Sequence, residues 1–127
     1  MPRILVVDDD DSIRESIRLA LLSAGIEAVG VENGARALEV VSRTAFDGAI
    51  IDLMMPGMDG LETIQALREL SPGLPAVMIS GALMRADPNA PDFLSMACRL
   101  PAVTRLAKPF TLSELLRTVR GSIAVAA

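Results

Sequence analysis

The sequence predicts a single doubly wound α/β domain: a five-stranded parallel sheet with helices on both faces, a (βα)5 arrangement. Three observations carry this reading. Short aliphatic runs alternate with stretches of helical periodicity. Several of those runs are apolar on both faces, as strands inside a parallel sheet must be. And the 127 residues contain no repeat, linker or low-complexity tract, so one domain spans 1–127 with its core at about 3–123.

The strand runs are Ile4-Leu5-Val6-Val7, Ala28-Val29-Gly30-Val31, Gly48-Ala49-Ile50-Ile51, Ala76-Val77-Met78-Ile79 and, more weakly, Ala102-Val103-Thr104-Arg105-Leu106. Between the first two, Ile13, Ile17, Leu21 and Ala24 fall on one helical face, and Gly25 suits the position just past the helix end. A shorter helix carries Ala35, Leu38, Val40 and Val41. A third carries Leu61, Ile64, Leu67 and Leu70 and is stopped by Ser71-Pro72-Gly73. The last carries Leu112, Leu115, Leu116, Val119 and Ile123. Three starts match the capping box: Ser12 with Glu15, Asp59 with Glu62, and Thr111 with Glu114. The fourth crossover is the least regular. Asn89-Ala90-Pro91 can open a helix bearing Phe93, Leu94, Met96, Ala97 and Leu100, after a long Gly81–Pro88 loop. That loop and helix are expected to be the most mobile part.

Composition excludes several function classes. The formal charge is −4 and aromatic residues make up 2%, so the chain lacks both the cationic surface and the stacking groups of a nucleic-acid binder. No apolar run approaches the roughly 18 residues of a membrane span, and no signal peptide is evident. One cysteine, Cys98, permits no internal disulfide and fits a reducing, cytoplasmic compartment; a half-buried helix position suits it better than a redox role. With no His, acid–base or metal chemistry must use carboxylates, hydroxyls, Lys and backbone groups.

Ligands of doubly wound sheets sit beyond the carboxyl ends of the strands. Asp8, Asp9, Asp10 and Asp11 follow the first strand, Asp52 the third, Ser80 the fourth, and Lys108-Pro109-Phe110 the fifth. Converging carboxylates repel unless a cation compensates. A hard divalent ion such as Mg²⁺ is the natural one, and a carboxylate beside it can attack phosphorus. Ser80 and Lys108 can then bind the equatorial oxygens of a transferring phosphoryl group. Plainer readings exist for each residue. Asp10 and Asp11 read as solvated helix caps. Asp52 could be turn chemistry before Pro-Gly, Ser80-Gly81 a simple turn, and Lys108 a snorkelling surface lysine. Met54, Met55 and Met58 suit packing better than a soft-metal site.

Taken together, Ile4-Leu5-Val6-Val7-Asp8-Asp9, the run from Ile51-Asp52 to Asp59-Gly60, Ile79-Ser80-Gly81 and Ala107-Lys108-Pro109-Phe110 resemble the receiver (CheY-like) domain of two-component response regulators. The resemblance covers essentially the whole chain. It implies a strand order of 2-1-3-4-5, with Asp52 as phospho-acceptor. Asp8 and Asp9 would place Mg²⁺ beside Asp52, and Met54 would offer only its backbone carbonyl to the ion. Ser80 is then the switch hydroxyl, Lys108 the phosphoryl-pairing cation, and Lys108–Pro109 a cis bond. The resemblance also implies a phosphohistidine on a sensor histidine kinase or histidine phosphotransfer protein as phosphoryl donor, an external one because this chain has no His. The resemblance implies no enzyme activity beyond phosphorylating and dephosphorylating its own Asp52. No output domain follows the last helix, so the chain resembles a stand-alone receiver that signals by contact with a downstream protein, an intermediate carrier or drain in a phosphorelay, or a receiver cut from a longer protein.

Two departures bear on output. Many receivers carry Tyr or Phe where this chain has Arg105, which could face a partner or fold toward the phosphoryl group. Receivers often have Gly-Ala where this chain has Leu100-Pro101-Ala102. Met54 and Ala82 are apolar and cannot orient a water, which points to slow loss of the phosphoryl group. Two rivals remain. Phosphatases of the haloacid dehalogenase type share an Asp-x-Asp, a Ser and a Lys, but no acidic pair follows Lys108 here. The alternative is a degenerate receiver, a protein-binding module independent of phosphorylation.

Overall fold

The computed structural model describes residues 2–53, 55, 57, 59–80 and 102–126. Five parallel strands form one sheet in the order β2-β1-β3-β4-β5. They are β1 (Arg3–Val7), β2 (Glu27–Val31), β3 (Gly48–Asp52), β4 (Ala76–Ser80) and β5 (Val103–Ala107). Four helices are described: α1 (Asp11–Ser23), α2 (Gly34–Val41), α3 (Gly60–Leu70) and α4 (Leu112–Ala126). The long Gly81–Pro88 loop, the helix expected after Asn89, Cys98, Ala82 and Met54 lie outside the described residues.

Side-chain alternation along the strands divides the core into two halves. Leu5, Val7, Ile51 and Met78 point to one face, where Ala37 of α2 and Leu61, Ile64 and Leu67 of α3 cover them. Ile4, Val6, Ile50, Val77 and Ile79 point to the other, beneath Ile17 and Leu21 of α1 and Leu115 and Val119 of α4. Burial on both faces explains why β1, β3 and β4 read as unbroken apolar runs. No helix among the described residues is long and apolar enough to cross a membrane.

Helix ends follow local chemistry, with one correction. Asp10, not Ser12, caps α1: its Oδ1 accepts from the N–H groups of Ser12 (2.9 Å) and Ile13 (3.1 Å). A carboxylate is the stronger acceptor at the positive helix end, and Glu15 pairs with Arg18 instead of reaching back. Asp59 caps α3 through the Glu62 N–H (2.8 Å). Thr111 and Glu114 complete both halves of their box at 3.1 and 3.3 Å. Asn33, which the capping-box pattern passes over, caps α2 through the Arg36 N–H. Gly25 takes a φ of 78° after α1, and the Ile26 N–H closes onto the Leu21 carbonyl at 2.9 Å. That is the Schellman closure, for which glycine carries no Cβ penalty.

Candidate functional site

The register brings the strand ends to one edge. Val7 pairs with Ile51, Asp52 with Ile79, and Ser80 with Ala107, so Asp8, Asp52, Ser80 and Lys108 end up side by side. The Asp8 N–H bonds to the Val31 carbonyl (3.2 Å) and extends the β1–β2 ladder one residue past β1. The Lys108 N–H likewise bonds to the Ser80 carbonyl at 2.7 Å. The Lys108–Pro109 peptide is cis.

Asp52 closes β3 and is 6% exposed. Behind it α3 begins at unusually close range. A Cβ on Gly60 would stand 2.6 Å from Leu53 Cα and 2.7 Å from the Asp52 carbonyl oxygen, and the Gly60 N–H bonds to the Leu53 carbonyl at 2.9 Å. Only glycine permits that approach.

The carboxylates of Asp8, Asp9 and Asp52 present oxygens within 4.8 Å of one another. Asp8 is buried and Asp9 exposed. One Asp8 oxygen accepts from the Asp10 N–H at 2.9 Å. The other is buried without a hydrogen-bond partner among the described residues. Burial foremost holds the Asp8 carboxyl above its ordinary range; the Asp52 and Asp9 charges add to this, while the Asp10 N–H and Lys108 oppose it. Lys108 Nζ lies 3.5 Å from Asp52 Oδ2. Among the described residues, the Asp8, Asp9 and Asp52 carboxylates repel one another, and Lys108 offsets part of that charge. Three convergent oxygen donors, one of them buried and unmatched, fit a hard divalent cation. Ser80 Oγ is also buried without a partner among the described residues. On the α1–α4 side, an open groove of about 530 Å³ lined by Ile13, Ile17, Lys108, Phe110 and Leu112 borders this cluster.

The family model for the response regulator receiver domain matches residues 4–120. The chain belongs to that family. It is 36% identical over 124 residues to the response regulator MprA of Mycobacterium leprae, covering 93% of this chain and 49% of that protein. The chain thus spans about half the length of the curated relatives it matches. Among solved structures it is similar to the chemotaxis protein CheY4 of Vibrio cholerae, with a TM-score of 0.83, 30% identity, and 96% and 98% of the two chains covered. It is also similar to a response regulator receiver protein of Sinorhizobium medicae, with a TM-score of 0.80, 29% identity, and 99% and 97% coverage. This chain is therefore a CheY-like receiver domain of the response regulators, a family of signalling proteins, consistent with phospho-accepting two-component signalling.

Arg105 stands apart from the cluster. It is exposed on β5, in register with Met78. Residues to which the sequence reading gave no role also shape the site. Gly60 admits α3, and Arg14 reaches the β1–α1 turn. An Asp11–Arg14 pair at helical spacing is readable in the sequence. The further contact from Arg14 Nη1 to the Asp8 carbonyl (2.8 Å) depends on how the chain folds back and leaves no such signal.

Proposed function

We propose that this receiver accepts a phosphoryl group on Asp52 from a phosphohistidine of a sensor histidine kinase or histidine phosphotransfer protein, with Mg²⁺ as cofactor in the cytoplasm. The observation that carries this reading is the setting of Asp52: buried at a strand end, its oxygens within 4.8 Å of those of Asp8 and Asp9, and 3.5 Å from Lys108. In the transfer, an Asp52 carboxylate oxygen forms the new bond to phosphorus as the bond from phosphorus to the histidine nitrogen breaks. The bonding pair stays on that imidazole nitrogen.

Asp8 and Asp9 are the side chains that would hold the ion with Asp52, and the Met54 carbonyl is a further ligand in this proposal. The bound ion would supply charge neutralisation for the incoming phosphoryl oxygens. Lys108 compensates the added charge of about −1.5 to −2 on the modified side chain. The Ser80 hydroxyl is a donor for a phosphoryl oxygen, and its movement shifts an equilibrium between two arrangements of the protein-binding surface. Release of the group from Asp52 to water is the only other reaction assigned to the domain.

The test is intact-mass measurement after incubation with acetyl phosphate or phosphoramidate, with and without Mg²⁺. The expected result is one phosphoryl adduct on the parent chain, absent without Mg²⁺ and absent in Asp52→Ala. No adduct on the parent under any condition would sink this reading and favour the phosphorylation-independent binding module.

A further inference from the structure

We infer that Arg14 is a positioning residue for the cation site, acting through the backbone of Asp8 without touching the metal-facing carboxylates. This rests on the metal reading above. Arg14 lies on α1, and its stem runs back across β2 toward the site. It passes so close to Gly30 that a Cβ there would stand 2.9 Å from Arg14 Cγ and 3.0 Å from Cδ. Glycine in an edge strand often marks such a close approach. The guanidinium then forks. Nη1 donates to the Asp8 carbonyl at 2.8 Å, and Nη2 pairs with the Asp11 carboxylate. The side chain is only 20% exposed, so this fork is held by packing rather than lying loose on the surface.

The consequence is geometric. The acidic run from Asp8 to Asp11 brings four mutually repelling carboxylates together at the entry to α1. Arg14 ties its first backbone carbonyl to its last side chain. Asp11 is thereby engaged with Arg14, while the cation cluster is formed by Asp8, Asp9 and Asp52. Within the turn the Asp10 N–H holds Asp8 Oδ1, which leaves Oδ2 as the buried acceptor without a partner among the described residues. Arg14 fixes the backbone on which that carboxylate is aimed. Outer partners that orient metal ligands in this way contribute about 10–100-fold in metal affinity.

Charge and positioning make opposite forecasts, which isolates the role. Removing a cation near a cation site favours Mg²⁺ by electrostatics alone. Losing the turn geometry disfavours it. The experiment is calorimetric titration of Mg²⁺ into the metal-free 127-residue chain, for the parent, Arg14→Met and Gly30→Val. Methionine keeps an apolar stem over Gly30 and loses both hydrogen bonds. Valine at Gly30 displaces the Arg14 stem while keeping every charge and every metal ligand. The expected result is a Kd raised about tenfold in Arg14→Met and raised in the same direction, by less, in Gly30→Val. An unchanged or tighter Kd in folded Arg14→Met overturns the inference. Should that variant fail to fold by circular dichroism, Gly30→Val decides on the same criterion. A parent chain that takes up no Mg²⁺ sinks the metal reading itself and Arg14's role with it, an outcome distinct from a parent that binds and a variant that binds equally well.

Discussion

β3 and β5 have the same length and direction, and each delivers a charged residue to the same edge, yet they are held very differently. All five residues of β3 are buried, and the strand lies between β1 and β4 with helices on both faces. β5 is the last strand of the sheet, and only Leu106 of its five residues is buried. Asp52 is thus fixed by packing from every side, whereas Lys108 follows an edge strand anchored mainly through its ladder to β4. Asp52 ends the fully buried strand, and Lys108 follows the more exposed one. That division suits a domain in which chemistry at one strand must be read out at another.

The sharpest way to break the comparison is to disturb β3 from behind. Gly60→Val places side-chain atoms where a Cβ alone would already stand 2.6 Å from Leu53 Cα. Those are backbone atoms of a buried strand end and cannot swing aside. The expected cost is about 3 kcal/mol of stability in urea denaturation, together with loss of Mg²⁺-dependent phosphorylation as Asp52 shifts. A change below about 0.5 kcal/mol, the range of an ordinary surface substitution, would mean that α3 does not pin β3.

A smaller effect of opposite sign is expected at Asp8. Its carboxyl is held above the ordinary 3.8, chiefly by burial. The native state therefore binds the proton more tightly than the unfolded chain. Stability contributed at this group falls as pH rises from 3.8 through the higher native value, and the loss is complete above it. Asp8→Asn removes that loss and should stabilise the metal-free protein at pH 7 by about 1 kcal/mol, the scale of an unsatisfied buried acceptor. Adding Mg²⁺ should raise the melting temperature of the parent and leave Asp8→Asn nearly unmoved. A variant less stable than the parent in chelator would show that Asp8 is not under-compensated.

The same contrast separates what the sequence makes readable from what it hides. β1, β3 and β4 announce themselves because burial on both faces demands unbroken apolar runs. Once the strands are parallel, the order of Asp8, Asp52, Ser80 and Lys108 along the chain already places them at one edge. The capping-box pattern is less reliable where two acceptors compete: at the start of α1 it names Ser12, whereas the plainer reading of Asp10 as a helix cap is the one the structure keeps. Helical periodicity also overstates the core at its margins: Leu70 and Leu112, at the ends of their helices, fit the apolar stripe yet are half exposed. The contacts of Gly30, Gly60 and Arg14 were hidden for a different reason, although Gly30 and Gly60 stand in runs the sequence reading names. Each matters through a contact with a strand or turn elsewhere in the chain, and no period or cap encodes such a contact.

On the looser side, Ala102 offers a modest test. It enters β5 with a φ of 58°, a left-handed conformation that a Cβ disfavours. It sits in the segment where many receivers carry glycine. Ala102→Gly relieves about 1–2 kcal/mol of strain and costs roughly 0.5–1 kcal/mol of unfolded-state entropy. The expected outcome is a gain of about 0–1.5 kcal/mol in urea denaturation. A clear loss would mean that the Ala102 carbonyl, which accepts from the Ala76 N–H at 3.0 Å, needs the stiffer residue to start the β4–β5 ladder.

The smallest expected effect belongs to Arg105. Two roles are open to a cation at this position, one facing outward and one folding onto the phosphoryl group. Its exposure on β5, in register with buried Met78, favours the outward one. Arg105→Ala should then change stability by less than about 0.5 kcal/mol and leave the rate of phosphorylation by phosphoramidate unaltered. The lifetime of the adduct should be equally unaffected, since an exposed side chain makes no charge-assisted bond to the modified Asp52. If Arg105 does swing inward once Asp52 is charged, the alanine variant should lose its adduct faster than the parent, because one donor to the phosphoryl oxygens is gone. Measuring adduct decay by intact mass in the two proteins therefore decides whether the freedom of the β5 edge serves the chemistry or only the surface that a partner reads.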